Sequence, residues 1–312
     1  MPRQDEPPQG PSDVPRHRWW PVLRRSIRRF RSHNLADWAA ALTYYGVLSL
    51  FPALLALVSV VGLLGADAVD ALLDNLRSLT PGPARDLLDT AVRQVRGGTG
   101  EAGVALAVGV LLALWSASGY VAAFIRAANA VYGVGEGRPA WQTLPLRLGL
   151  TLALLVLLAL TVLSVVLTGS LADRVGEVLG IGDTAVTAWN YAKWPALVLL
   201  VSLLVTLLYR VAPDVRQPGL GWLAPGSLLA VVLWLAASAA FAGYVANFDS
   251  YNKTYGSLAT VVVFLVWLWL SHIAVLLGLE FNVELERDRA AASGHPVGDG
   301  PVAEPRDTRG RD

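Results

Sequence analysis

The sequence predicts an all-α protein, a polytopic membrane helical bundle with six transmembrane helices and an N-terminal basic amphipathic interfacial helix. Of its 312 residues, 54% are hydrophobic and only 16% are charged, whereas about 25% of a soluble domain is charged. Six apolar runs are also long enough to cross about 30 Å of hydrocarbon, which takes roughly 20 helical residues. The absence of cysteine excludes disulfides and thiolate metal sites.

The first predicted elements are a disordered tail over residues 1–18 and an amphipathic helix over residues 19–42. In WWPVLRRSIRRFRSHNLADW, Leu23, Ile27 and Phe30 recur at helical spacing among many arginines. Such a helix favours the surface of an anionic leaflet. The residues expected to contact lipid head groups are Arg24, Arg25, Arg28 and Arg29. No nucleic-acid motif accompanies them, so no nucleic-acid partner is expected.

A six-span membrane domain is predicted over residues 43–287, followed by a disordered cytoplasmic tail over 288–312. Residues 66–103 form the longest predicted external segment. The fourth span is the weakest, because its uninterrupted apolar core is short. The predicted spans are Thr43–Gly65, Val104–Phe124, Leu146–Thr168, Trp194–Ala212, Trp222–Ala246 and Leu258–Phe281.

The distribution of Lys and Arg predicts the orientation, since positive residues are retained in the cytoplasm. With six crossings, 18 of these residues fall on the side of the two termini and seven on the other. Both termini are therefore predicted to be cytoplasmic.

Three stretches resemble the YihY/BrkB family of bacterial inner-membrane proteins. They are AAALTYYGVLSLFPALLALV, LWSASGYVAAFIRAANAVYGVGEGRPAW and NKTYGSLATVVVFLVWLWLSHIAVLLGLEFNVELER, beginning at residues 39, 114 and 252. The resemblance covers about residues 25–288 and implies a six-span, multi-pass protein of the bacterial cytoplasmic (inner) membrane with both ends inside. Members have carried ribonuclease and virulence-factor labels, and some resemble candidates for envelope lipid transport.

Polar and aromatic residues at the span ends are the candidate substrate-path residues. Packing and kinking are the alternative roles for most of them, because small and hydroxyl side chains also serve helix contact. The candidates are Thr43, Tyr44, Tyr45, Ser49, Pro52, Trp115, Ser116, Asn129, Arg138, Asn252, Tyr255, His272, Glu280 and Asn282.

Two of these candidates are ionisable residues of the last predicted span. His272 lies well inside it, where a neutral imidazole needs a hydrogen-bond partner. Glu280 falls near the predicted cytoplasmic interface, about 20 residues after the span begins. Arg126 or Arg138 in the second cytoplasmic loop is a candidate ion-pair partner for Glu280.

The favoured function is translocation of a lipid or another amphipathic envelope substrate. Without a nucleotide-binding motif in the sequence, no ATPase of its own is expected. A membrane scaffold that binds partner proteins is the alternative, and a hydrolase or ribonuclease is third, so the chain is predicted not to be an enzyme.

The four histidines are scattered along the chain, and neither a metal site nor a cofactor is expected. Membrane lipids are the expected partners, with envelope lipid-transport or other membrane proteins as further candidates, while the oligomeric state stays open.

Overall fold

The computed structural model describes residues 15–62, 101–166, 183–217, 219–246, 257–294 and 300–309. Within these ranges the regular structure is helical, with one isolated β-bridge. The helices are α1 (Arg16–Ser32), α2 (Leu35–Gly62), α3 (Glu101–Tyr132), α4 (Ala140–Val166), α5 (Asp183–Val211), α6 (Ala224–Ala246) and α7 (Ser257–Ala292). A 3₁₀ turn, Leu220–Trp222, precedes α6. The all-α prediction is confirmed, and the external segment 66–103 falls largely outside the described residues.

Four helices within the described ranges are long and apolar enough to cross a membrane. They contain the segments Ala140–Thr161, Tyr191–Val211, Leu220–Val245 and Val261–Ala292. Large apolar side chains on these helices face outward, including Leu199 at 70% and Leu203 at 60% exposure. Hydrocarbon is the natural surrounding for such a surface. The helical membrane bundle is therefore confirmed, while the count of six spans stays a prediction.

The predicted amphipathic helix over residues 19–42 is divided in two by a short break. Helix α1 ends at Ser32, and α2 already begins at Leu35, eight residues before the predicted first span. Asn34 between them has a φ of 50°, a left-handed conformation that asparagine tolerates better than most residues. The break therefore separates the arginine-rich helix from the first long apolar helix.

The chain divides into two compact units, of which the first contains residues 1–45, 122–143 and 205–312. Within this first unit, α6 packs along α7, and α1 packs on the C-terminal part of α7. Val22 of α1 lies in a buried apolar cluster with Trp222, Phe281 and Leu285. The second unit contains residues 46–121 and 144–204.

Helices α6 and α7 approach each other closely where two glycines face each other. A Cβ on Gly278 would lie 2.7 Å from both the Ala230 Cβ and the Tyr209 hydroxyl, and closer still to the Gly226 carbonyl. A Cβ on Gly226 would likewise meet the Gly278 carbonyl. Small residues of this kind permit the close backbone packing on which helix association in lipid depends.

Indole hydrogen bonds accompany this glycine contact farther along the two helices. Trp234 Nε1 donates to Ser271 Oγ and Trp267 Nε1 to Ser238 Oγ, each at 3.1 Å. The two indole rings also contact each other at a tilt. Each Trp N–H thus has an acceptor on the opposite helix, so that neither of these two indole groups is left unsatisfied in apolar surroundings.

The segment after α7 lies against the loop between α5 and α6. Pro305 forms the isolated bridge with Val215, while the Arg306 N–H donates to the Asp214 carbonyl and the Arg216 N–H to that of Glu304. The sequence prediction placed a disordered tail over 288–312. The structure instead continues α7 to Ala292 and places residues 300–309 beside this loop.

Replacing Gly278 by alanine tests the close α6–α7 contact. Because the new Cβ would meet backbone and side chains from two neighbouring helices, we expect Gly278→Ala to lower the free energy of unfolding by about 1–3 kcal/mol. Reversible unfolding in mixed micelles measures this change. Gly243→Ala is the matched control, because Gly243 lies on α6 with open space around an added Cβ. Equal effects of the two changes would contradict the close packing.

Candidate functional site

The first unit contains a row of four polar side-chain pairs between α7 and the α1–α2 segment. We call it the polar ladder. The pairs are Thr43–His272, His33–Glu280, Arg29–Glu284 and Arg25–Asp288. Asp288 follows His272 by sixteen positions, which corresponds to about 24 Å along the helix.

The spacing of residues on the two helices explains how the charged part of the polar ladder forms. On α7, Glu280, Glu284 and Asp288 are four residues apart and lie on one face. Arg25, Arg29 and His33 have the same spacing at the end of α1. The two rows run in opposite directions, so each base meets an acid. This complementary i, i+4 pattern is visible in the sequence, but the sequence alone does not indicate which segments pair.

The first pair joins two candidates that the sequence analysis had treated separately. The Thr43 hydroxyl donates to the Ala39 carbonyl at 2.8 Å. His272 Nδ1 lies 3.1 Å from the oxygen of the Thr43 hydroxyl. Because the hydroxyl has a single proton, we infer that His272 Nδ1 carries the proton of the second hydrogen bond. The expected need of His272 for a partner is thus met by a neutral hydroxyl.

The second pair places a carboxylate in a completely buried position. Glu280 is 0% exposed, and its Oε2 lies 3.1 Å from His33 Nδ1. Its other oxygen, Oε1, has no hydrogen-bond partner among the described residues. A buried acceptor without a partner is destabilising by about 1–3 kcal/mol, so this oxygen is the part of the polar ladder best suited to receive a donor from a ligand.

The last two pairs form a compact ion-pair cluster. Glu284, also fully buried, has its Oε1 2.9 Å from Arg29 Nε and 3.2 Å from Arg287 Nε. Arg25 donates to Glu284 Oε2 at 3.1 Å and to Asp288 Oδ1 at 2.8 Å. Several partly exposed guanidinium groups therefore neutralise one buried carboxylate and fix α1 on α7.

The four arginines predicted to contact head groups fall on two sides of α1. Arg25 and Arg29 face the acids of α7, whereas Arg24 and Arg28 are exposed. Helical geometry explains this division, because Arg25 and Arg29 lie on one face of the helix and Arg24 and Arg28 lie on another.

Asn282 has a structural position between α7 and the start of α6. Its Oδ1 accepts from the Gly226 N–H at 2.8 Å, and its Nδ2 donates to the Leu223 carbonyl at 3.0 Å. The amide thus satisfies backbone groups at a helix N-terminus, where four N–H groups lack intrahelical partners. It shares the helix of Glu280 but not its face.

Asn129 and Arg138 belong to a second polar network, at the turn between α3 and α4. Arg138 Nε donates to Glu136 Oε1 at 2.6 Å, and its NH2 group donates to the Ala212 carbonyl at 2.8 Å. Asn129 donates to Glu136 Oε2 and accepts from the Asp214 N–H. This network joins the α3–α4 turn to the loop after α5, so Arg138 serves the turn and not Glu280.

The pKa values of the two acids of this network, Asp214 and Glu136, are shifted in opposite directions. Burial raises the pKa of Asp214, and the Gly137 N–H and the Arg138 charge offset this only in part. Partial burial also acts to raise the pKa of Glu136, but the hydrogen bonds and charge of Arg138 lower that pKa overall. Glu136 is thus the principal anionic partner of Arg138.

The expected pairing of Glu280 with Arg126 or Arg138 is wrong. Arg126 lies with its guanidinium carbon 5.5 Å from the centre of the Tyr45 ring, and Arg138 is bound to Glu136. His33 takes the position instead, because the break after α1 carries it to Glu280. Sequence reasoning did not identify His33 as a partner of Glu280.

The remaining candidates of α2 do not come together into one polar group. Tyr44 is exposed and meets Tyr45 edge to face, while the Ser49 hydroxyl donates to the Gly46 carbonyl within α2. Pro52 lies in α2 where the structure describes only the helix.

In the second unit, Trp115 is half exposed and has the Arg147 guanidinium 5.2 Å from its ring centre. Arg147 also donates to Ser118 Oγ at 2.6 Å, while Ser116 is exposed. Asn252 and Tyr255 lie outside the described residues.

Comparison with protein families decides the classification of this chain. Residues 26–299 match the family model described as "Virulence factor BrkB". The chain belongs to the BrkB family. The match includes three of the four pairs of the polar ladder and the whole α3–α4 network. This result confirms the resemblance found in the sequence.

Relatives of this BrkB-family protein include a Bacillus protein and several proteins described as UPF0761 membrane proteins. It is 27% identical to the "Putative ribonuclease-like protein YfkH" of Bacillus subtilis, covering 88% of this chain and 98% of that one. It is 30% identical to a "UPF0761 membrane protein" of Alkalilimnicola ehrlichii, covering 85% and 59% respectively. A relative of the same description from Xanthomonas campestris is 28% identical, covering 80% and 57%. The BrkB-family chain thus spans under two thirds of the length of these UPF0761 relatives, and no solved structure matches it.

Glu284→Gln tests the ion-pair cluster of this BrkB-family protein. Losing the buried carboxylate leaves Arg25, Arg29 and Arg287 close together, and we expect the free energy of unfolding to fall by about 3 kcal/mol. Reversible unfolding in mixed micelles measures the loss. Asp288→Asn, which removes a partly exposed acid, should cost less than about 1 kcal/mol; a Glu284→Gln variant as stable as the unchanged protein would refute the role of the cluster.

Arg138→Lys tests the α3–α4 network. Lysine keeps the charge but cannot reproduce the forked contacts with Glu136 and the Ala212 carbonyl, so we expect a loss of about 2–3 kcal/mol in the free energy of unfolding. Thermal unfolding in detergent gives the comparison. Arg216→Lys, at a 71% exposed side chain 3.9 Å from Glu304, should change stability by less than about 0.5 kcal/mol, and a similar loss in both variants would contradict the network.

Proposed function

We propose that this BrkB-family protein translocates a lipid or another amphipathic envelope substrate across the bacterial inner membrane, with both termini in the cytoplasm. The observation that supports this proposal is the polar ladder, which extends along the candidate membrane span of α7 from His272 to Asp288. Ionisable groups are costly within membrane segments and mark substrate or ion pathways when they occur there.

The chemistry of the polar ladder suits a polar head group. The pairs change along α7 from a neutral hydroxyl–imidazole contact to a His–Glu pair and then to Arg–acid pairs. A moving head group would exchange hydrogen bonds with each pair in turn, while its acyl chains remain in the surrounding lipid. Glu280 Oε1, which lacks a described partner, offers the first acceptor for an ammonium or hydroxyl group.

In the described conformation α1 covers the acids, since Glu280 and Glu284 are both fully buried. Entry of a head group therefore requires α1 to move away from α7. The sequence contains no nucleotide-binding motif, so the driving force in this proposal is an existing gradient or a partner protein.

The name of the Bacillus relative, a putative ribonuclease-like protein, suggests a second activity to test. Ribonuclease chemistry with metals needs clustered carboxylates and histidines, and the described residues contain no group of three such side chains that could hold a metal ion. Degradation of RNA by the purified protein would therefore be evidence against the proposed function.

Transfer of head-group-labelled phospholipid between the leaflets of proteoliposomes tests the proposal. We expect exchange above that of empty liposomes, and at least a tenfold slower rate for Glu280→Gln, because a hydrogen bond to a charged group contributes about 1.5–3 kcal/mol. Glu304→Gln changes an acid that is 85% exposed and serves as the matched control, with an unchanged rate.

The outcomes separate the functions considered above. Normal exchange in a folded Glu280→Gln variant would retain translocation but refute the polar ladder as its path. No exchange by folded protein with anionic and zwitterionic lipids would refute autonomous translocation and favour the membrane-scaffold alternative. Cleavage of RNA at the same protein concentration would favour the ribonuclease.

A further inference from the structure

Helix α1 has two basic faces, and the polar ladder uses only one of them. The inner face contains Val22, Arg25, Ser26 and Arg29, which recur at helical spacing toward α7. Val22 and Ser26 are fully buried, and both arginines are paired with Glu284. This face is therefore fully engaged in fixing α1.

The opposite face forms a second stripe at the same helical spacing, which we call the outer stripe. Its residues are Trp20, Arg24, Ile27, Arg28 and Arg31. Trp20 is 70% exposed and Ile27 is 44% exposed, and the three arginines are exposed as well. The outer stripe thus presents two large apolar side chains among three positive charges.

The attachment of α1 sets the depth of the outer stripe relative to the bilayer. Helix α1 contacts α7 at Phe281, Glu284, Leu285 and Asp288. The candidate span in α7 begins at Val261, and roughly 20 residues of it cross the hydrocarbon. The contact region therefore begins where the hydrocarbon ends, at the level of the lipid head groups.

We propose that the outer stripe is a binding surface for the phosphate groups of anionic lipids. The arginines Arg24, Arg28 and Arg31 bind phosphate oxygens through forked N–H groups, while Trp20 and Ile27 insert among the upper acyl segments. Arg25 and Arg29, although part of the same basic sequence, take no part because they hold α7. This inference does not rest on the proposed translocation.

The composition of the outer stripe favours lipid over nucleic acid. Nucleic acid would leave Ile27 against a polar backbone, whereas a membrane surface accommodates both charge and apolar side chains. The fixed position of α1 beside a candidate span also places the stripe where lipid is present. Tethering in this way removes most of the entropy cost of binding the membrane.

Fluorescence quenching in the full chain tests the outer stripe. Because the protein has no cysteine, Ile27→Cys and Ser293→Cys each accept one environment-sensitive label; Ser293 is exposed after α7 and serves as the water reference. In liposomes containing anionic phospholipid, we expect the label at 27 to be quenched by nitroxide-bearing lipid and protected from acrylamide. The label at 293 should show the reverse.

Variants that lack the arginines of the outer stripe test whether their positive charge binds the anionic lipid. Removing three arginines by Arg24→Gln, Arg28→Gln and Arg31→Gln should weaken surface association by roughly a hundredfold, since each arginine near an anionic surface contributes about fivefold, and should expose the label at 27 to acrylamide. A matched variant, Arg216→Gln with Arg309→Gln, removes exposed charges elsewhere and should change nothing. Circular dichroism confirms that each variant is folded.

Three results would overturn the proposal. The label at 27 could be as accessible to acrylamide as the label at 293 in anionic liposomes. The triple variant could keep the full protection of the unchanged stripe. RNA or DNA added to neutral liposomes could protect the label where anionic lipid does not, which would identify the stripe as a nucleic-acid surface.

Discussion

The burial of two carboxylates on α7 is the constraint on which the first unit depends. Glu280 and Glu284 are both completely buried, and a charge removed from water is strongly unfavourable unless opposite charges and hydrogen bonds surround it. His33, Arg25 and Arg29 supply those partners. Helix α1 is therefore held by the electrostatic needs of α7 as well as by the apolar cluster around Val22.

The same unit contains a different kind of packing only a few residues away. At Gly226 and Gly278 the backbones of α6 and α7 come close enough that no Cβ fits, and Asn282 satisfies the free N–H of Gly226. One face of α7 is thus tightly packed against α6, while the face toward α1 carries charge. Tight packing on one side gives the charged side a rigid support.

The arginines of α1 show how one basic sequence can serve two purposes. Arg25 and Arg29 satisfy buried acids inside the protein, whereas Arg24 and Arg28 remain exposed. The guanidinium groups of Arg25 and Arg29 stabilise the fold, and their binding to lipid would leave Glu284 unpaired. The charge of the whole segment therefore overstates the charge that is available to a membrane surface.

Periodic features of the sequence determined the all-α class and the positions of the long apolar helices, since these depend on local hydrophobicity and helical spacing. They also indicated that His272 needs a partner and that Glu280 lies near the end of its span. Only the tertiary structure decided that Thr43 and His33 are those partners, and that Arg138 belongs to the α3–α4 turn. The reason is physical: whether a side chain needs a partner follows from its local sequence, but the packing of whole helices decides which group satisfies it. The partners of His272 and Glu280 come from more than two hundred residues away.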